Sequence, residues 1–200
     1  MVHISDGILS FQVLAFGWIV TLLLIALTLW WSKRKGSIAE KIPKLSVVTA
    51  AFFVASLIHI PVGPTSVHLI LNGLVGIMLG TLSYPAIFIG LILQAFLFGH
   101  GGVTVIGINA MDMGIPALIA YSIFRIRQSP LFGAIAGGVA VTLAVLLTAA
   151  VLLTLGESYI WVVRALIIYH IPIIVIESLI AASVVAFLSK VKPELLGGGK

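Results

Sequence analysis

Long apolar runs separated by short charged connections set the pattern of this chain. Phe11 to Trp31 carries no charged side chain, and a helix needs about 20 apolar residues to cross a bilayer. A basic connection follows, with Lys33, Arg34, Lys35, Lys41 and Lys44. A second run covers Leu45 to Ile60 and ends at Pro61 and Pro64, which interrupt helices. Ser66 to Phe98 is too long for one crossing, and GTLSYP from Gly80 to Pro85 is its natural break. Two short helices are predicted there. Glycine-rich Gly99 to Gly114 leads into a fifth run, Ala110 to Phe124, closed by Arg125 and Arg127. Leu131 to Leu155 is the sixth. Ser158 to Ser189 is again too long, and a division near His170 and Pro172 makes its second part the seventh span. The pattern predicts an all-α membrane protein of about seven transmembrane helices. Residues 1–10 form an N-terminal loop, 11–192 a helical bundle and 193–200 a tail, in a single integral membrane domain.

Composition sharpens this reading. Hydrophobic residues make up 61% of the 200 residues and charged residues 8%, whereas soluble domains carry about 25% charged residues. Lipid is therefore the expected solvent. The absence of cysteine excludes disulfides and thiolate metal sites. A net charge of +5 would suit nucleic acid, but the charges lie in the connections, so no nucleic-acid partner is expected. The connections after spans one, three, five and seven hold ten of the eleven Lys and Arg residues, and only Arg164 lies on the other side. Positive charge stays cytoplasmic, which predicts an outer N-terminus and a cytoplasmic C-terminus. No basic residue precedes the first run, so a secretory leader is not expected and the N-terminus reads as a free outward amine. The closing GGGK lacks the spacing of a phosphate loop, and the chain is not expected to hydrolyse ATP.

Candidate chemistry centres on five histidines: His3, His59, His68, His100 and His170. Polar residues near membrane depth are costly and often functional, although each of these could simply satisfy a helix end. His68 is expected in the first turn of a helix capped by Thr65 or Ser66, where the positive helix end favours a neutral imidazole able to bind metal. The terminus reads Met1-Val2-His3-Ile4-Ser5-Asp6-Gly7. An amine, an ionised amide and a histidine Nδ1 can close fused chelate rings. Planar nitrogen ligation selects Cu(II) or Ni(II), with Co(II) a poorer fit. Asp6-Gly7 is equally an ordinary turn pair.

The segment Gln94 to Gly114 reads either as irregular backbone lining a cavity near membrane depth or as a long outer loop, with Asn109 and Asp112 as its polar groups. Glu177 is an intramembrane carboxylate, a site candidate that could instead pair with a serine or tyrosine. Ala51 and Ala55 form a small-xxx-small pair, suited to packing within the bundle or to a partner helix.

Four ordered stretches resemble the NikM/CbiM family, the metal-specific substrate-binding components of energy-coupling-factor (ECF) transporters. They are HISDGILS from His3, GPTSVHLILNGLVGIMLG from Gly63, QAFLFGHGGVTVIGINAMDMG from Gln94 and HIPIIVIES from His170. The resemblance covers nearly the whole chain. It implies seven helices with an N-terminal loop dipping into the bundle. It also implies capture of Ni(II), or Co(II), in a prokaryotic cell membrane, by the amine of Met1, the amide and imidazole of His3, and His68. Ser5, Asp6, Asn109 and Asp112 would fix the loop. The implied partners are an ATPase pair, a transmembrane coupling component and a small NikN/CbiN-like accessory subunit, with Ala51 and Ala55 resembling a docking motif. One departure stands out: the family begins Met-His, and here Val2 intervenes. Two residues before the histidine let the terminus supply four nitrogens by itself; removal of Met1 would restore one preceding residue.

Two other classes of protein would leave different marks. An intramembrane hydrolase would be expected to show a G-x-S-x-G elbow or an H-E-x-x-H helix, and the sequence has neither. A stand-alone metal permease would show H-x-x-x-x-D-H within a helix, and no histidine has that context. The reading is a non-enzymatic metal-capture subunit.

Overall fold

The computed structural model describes residues 4–62 and 65–196. Helices dominate: α1 (Phe11–Arg34), α2 (Ile42–Ala55), α3 (Asn72–Leu79), α4 (Ser83–Phe98), α5 (Ile106–Ile126), α6 (Pro130–Leu153) and α7 (Ile160–Val191). Between α2 and α3 lies an antiparallel pair, β1 (His59–Val62) and β2 (Thr65–His68), with His59 opposite His68 in register. Among the described residues, five segments are long and apolar enough to cross a membrane: α1, the 27 residues of Asn72–Phe98 taken together, α5, α6 and Glu157–Val191. The 14-residue α2 falls short of that length.

Helix α1 turns small and hydroxylated residues inward and large apolar ones outward, the reverse of a helix in a soluble bundle. In α1 the buried residues are Gly17, Thr21, Thr28 and Ser32, a stripe of helical spacing. Phe16, Leu23, Leu27 and Trp31 are exposed. Lipid gives no hydrophobic drive between helices, so close packing and hydrogen bonds hold them together. Thr21 does this twice, donating to the Gly107 carbonyl at 2.7 Å and sharing a 2.9 Å hydrogen bond with Tyr84. Nearby, a Cβ on Gly107 would stand 2.7 Å from the Trp18 backbone nitrogen. On α6, Gly133 and Gly137 admit Val185 and Ala181 of α7; a Cβ at either would come within 3 Å of those side chains.

The predicted break after α3 is present. Gly80 adopts φ +60°, a 3-10 turn follows over Gly80–Leu82, and the chain reverses. Along α3, Asn72, Gly76 and Gly80 meet Met113, Ala117 and Tyr121 in turn, so α3 runs beside α5 in the same direction. On α4, Tyr84 meets Gly114 while Phe88 meets Trp18, which packs at Gly107, so α4 runs back.

Three expectations need correction. The second run is not helical to Ile60: α2 stops at Ala55 and His59–Val62 is a strand. The division near His170 does not occur, since α7 continues for 32 residues with Pro172 inside it. Within a packed bundle, neighbours re-satisfy backbone groups that a proline frees. The irregular glycine segment is also shorter than expected, because α5 begins at Ile106. Gly107 and Gly114 are contact glycines against Trp18 and Tyr84, and they interrupt no helix.

Candidate metal centre

Two clasps of backbone hydrogen bonds hold the segments that carry the candidate ligands. The first holds the N-terminal loop. Asn109, buried in the first turn of α5, accepts the Ile4 N–H at 3.0 Å and donates its amide to the Ile4 carbonyl at 3.1 Å. An asparagine side chain that gives and takes in this way fixes a backbone unit in both position and direction. Two residues later, the Asp6 carboxylate accepts the N–H groups of Val103 and Thr104, each at 3.0 Å, and the Thr104 hydroxyl. The Asp6 N–H returns a bond to the Gly101 carbonyl at 3.1 Å. The Thr104 hydroxyl bond, and then the backbone donors, hold the Asp6 carboxyl below its ordinary value of 3.8, against a partial opposing effect of desolvation. Gly102, at φ +139°, lies against this carboxylate, where a Cβ would collide with it.

The second clasp holds the segment after β2. Glu177, fully inside the bundle on α7, accepts the N–H of Ile70 and, through both oxygens at 3.0 and 2.9 Å, the N–H of Leu71. Leu71 has φ +53°, a left-handed conformation that a side chain resists. The carboxylate stands at the N-terminal end of α3, where unpaired N–H groups and the helix dipole favour negative charge. Asn72 extends the join, donating to the carbonyls of Met113 and Ala140 at 3.3 and 3.4 Å.

His68 is therefore not in the first turn of a helix. It ends β2, and α3 starts four residues later. Glu177 decides this start in place of Thr65 or Ser66, because the carboxylate captures the backbone at Ile70 and Leu71. His68 is buried, and its Nδ1 donates to the Leu69 carbonyl at 2.8 Å. In a neutral ring the lone pair then lies on Nε2, the atom that can bind a metal. His170 is arranged alike, buried, with Nδ1 donating to the Leu166 carbonyl at 2.7 Å. His100 lies in the glycine loop, with its ring 6.0 Å from that of Phe98.

Met1 and His3 lie outside the described residues. Among the described residues, no three His, Asp or Glu side chains converge as a metal-binding group. Ser5 is exposed. Asp112 is buried in α5, accepting the Thr148 hydroxyl at 3.0 Å. Ala51 is exposed and Ala55 buried, one turn apart on α2. The partners Thr104, Ile70 and Leu71 were not singled out from the sequence; the only signal for them was their place inside the matching stretches. Glu177 was singled out, but its partners are backbone amides and not a serine or tyrosine.

Comparison with known proteins gives a consistent picture. Residues 3–195 match the family CbiM, described as the cobalt uptake substrate-specific transmembrane region. A Haemophilus influenzae chain named for metal transport is 40% identical over 203 residues, covering 97% of this chain and 96% of the relative. The cobalt transport protein CbiM of Sorangium cellulosum is 28% identical, covering 97% and 94%. An Archaeoglobus fulgidus chain named as a fused nickel transport protein, NikMN, is 26% identical, covering 97% of this chain and 68% of the relative. A crystal structure of a transition metal transporter superposes with a TM-score of 0.82 at 26% identity, covering 94% of this chain and 93% of that one.

Proposed function

Because the chain belongs to the CbiM family of cobalt-uptake substrate-specific transmembrane components, we propose that it captures Ni(II) or Co(II) outside a prokaryotic cell and passes the ion to an ECF transporter. The chain itself is a membrane component of metal uptake of the CbiM/NikM type. In this reading α2 also crosses the membrane, the reversed arms α3 and α4 count separately, and seven spans place the N-terminus outside. An ATPase pair and a coupling component supply the energy. The fused NikMN relative supports a small NikN-like subunit as a further partner.

The observation that carries the proposal is the clasp on Ile4. It holds the residue after His3 against Asn109 of α5, and Asn72 meets that same helix at Met113, one turn further on. His68 lies only four residues before Asn72. The terminal amine, the His3 amide and imidazole, and Nε2 of His68 can then surround one ion. All four donors are nitrogen, which favours planar Ni(II) over Co(II). Val2 adds an amide to the terminal chelate, so the terminus can supply four nitrogens and release His68, or the longer loop leaves the site empty. An added residue is hard to house in a packed bundle, which favours the empty site when Met1 is retained.

Elemental analysis and visible spectra of the purified chain, His68→Ala and a version lacking Val2 test this. The Val2-deleted form is expected to bind planar nickel in stoichiometric amount and to lose it, with the fold kept, when His68→Ala is added. Unchanged nickel content on adding His68→Ala to the Val2-deleted form would overturn the assignment of His68. Equal binding with and without Val2, with His68 coordinated in both and Met1 intact, would overturn the spacing argument.

A further inference from the structure

At the opposite end of the bundle from the N-terminal loop, the α1–α2 connection, the α3–α4 turn and the chain after α7 meet around a cavity of about 430 Å³. Lys35 follows α1, Lys41 and Lys44 enter α2, the Gly80–Leu82 turn joins α3 to α4, and the chain after α7 closes the far side with buried Leu196. Lys41 and Lys44 are half-buried. The Lys41 ammonium reaches the Ser32 carbonyl at 3.5 Å, a long contact that leaves donors over. Two acids also line the cavity, Glu40 and Glu194, but both are exposed at its rim. Thr81 and Tyr121 also line the space, the Thr81 hydroxyl sharing a 2.6 Å hydrogen bond with that of Ser32, over an apolar floor that includes Met78 and Leu82. A second, shallower pocket of about 290 Å³ shares Tyr121 and adds Arg125, whose guanidinium lies 5.6 Å from the Tyr121 ring centre.

We propose that this cavity binds a phosphate group, with the lysines and hydroxyls on its oxygens and the apolar floor against the carbon portion of its carrier. Half-buried ammonium groups beside hydroxyl donors suit a compact, multiply accepting anion better than a carboxylate on a flexible chain. The apolar floor and the position at the basic end of membrane helices fit an anionic phospholipid headgroup; free phosphate shares the chemistry but leaves the floor bare.

The test is native mass spectrometry of the full chain in neutral detergent, with three probes: short-chain phosphatidylglycerol, phosphatidylcholine of equal chain length, and inorganic phosphate. One phosphatidylglycerol should be retained in preference to phosphatidylcholine. Lys41→Gln with Lys44→Gln should weaken it about thirtyfold, on the usual worth of a lysine near an anionic headgroup. Lys41→Arg with Lys44→Arg should keep it, and Glu40→Gln with Glu194→Gln should tighten it. Binding of inorganic phosphate alone, with the same lysine dependence, would assign the site to the free anion. Equal retention of both lipids without phosphate binding, or a loss as large in the arginine pair as in the glutamine pair, would overturn the proposal.

Discussion

Asp6 and Glu177 perform the same act in opposite surroundings. Each carboxylate accepts backbone N–H groups from a segment about a hundred residues away. Asp6 lies exposed at the loop end and is joined by the Thr104 hydroxyl, so water can replace any bond that breaks. Glu177 is buried among helices, where no water substitutes and the left-handed Leu71 relies on it. A clasp of the first kind can open and reclose. The second kind is structural, because its loss strands both the carboxylate and two amides in a medium that solvates neither. The two clasps hold different segments: Asp6 joins the N-terminal loop to the loop before α5, and Glu177 fixes the backbone just after His68.

The largest expected effect breaks the buried clasp. Glu177→Gln removes the charge and turns an amide toward N–H donors, and should cost about 3 kcal/mol. Thermal unfolding in micelles would show it, with faster amide exchange at Ile70 and Leu71. A change of a few tenths of a kcal/mol would mean that the carboxylate is not holding α3. Next comes Asn109→Ala, which deletes both bonds to Ile4 and should cost about 1–2 kcal/mol, felt locally. Amide exchange in residues 4–8 should rise, and nickel retention fall in the Val2-deleted form, while the unfolding midpoint moves less than in Glu177→Gln. Equal global loss in the two variants would erase the distinction.

The smallest effect sharpens the exposed clasp. Asp6 has its pKa held below 3.8 in the fold, so its contribution is complete above that value. It should disappear as pH falls through the lower folded value. Amide protection of Val103 and Thr104 should therefore persist at neutral pH and collapse only in strong acid. In Asp6→Asn the same protection should be weaker and flat with pH. Collapse near pH 6 in the parent chain would point to a histidine instead.

Much of this was legible along the chain because hydrophobic length is a local property. The runs that became α1, α5 and α6 needed only their own residues, and so did the reversal at Gly80, where a glycine meets a helix end. The Asn109 and Asp6 clasp lies inside two of the stretches that resemble the family. The errors fall elsewhere. Pro172 reads locally as a boundary, yet α7 runs through it. Gly107 and Gly114 read as loop residues, yet they are where α1 and α4 press on α5.

The sequence by itself determined the membrane class and the basic end of the bundle, since both follow from composition summed over neighbouring positions. Only the tertiary structure decided the conformation around His68. Thr65 and Ser66 offered a local helix cap, but a carboxylate 107 residues from Ile70 took hold of the backbone beyond it. In a bundle without water, the strongest available acceptor at depth wins over a local hydroxyl cap, and which acceptor stands there is a fact of packing.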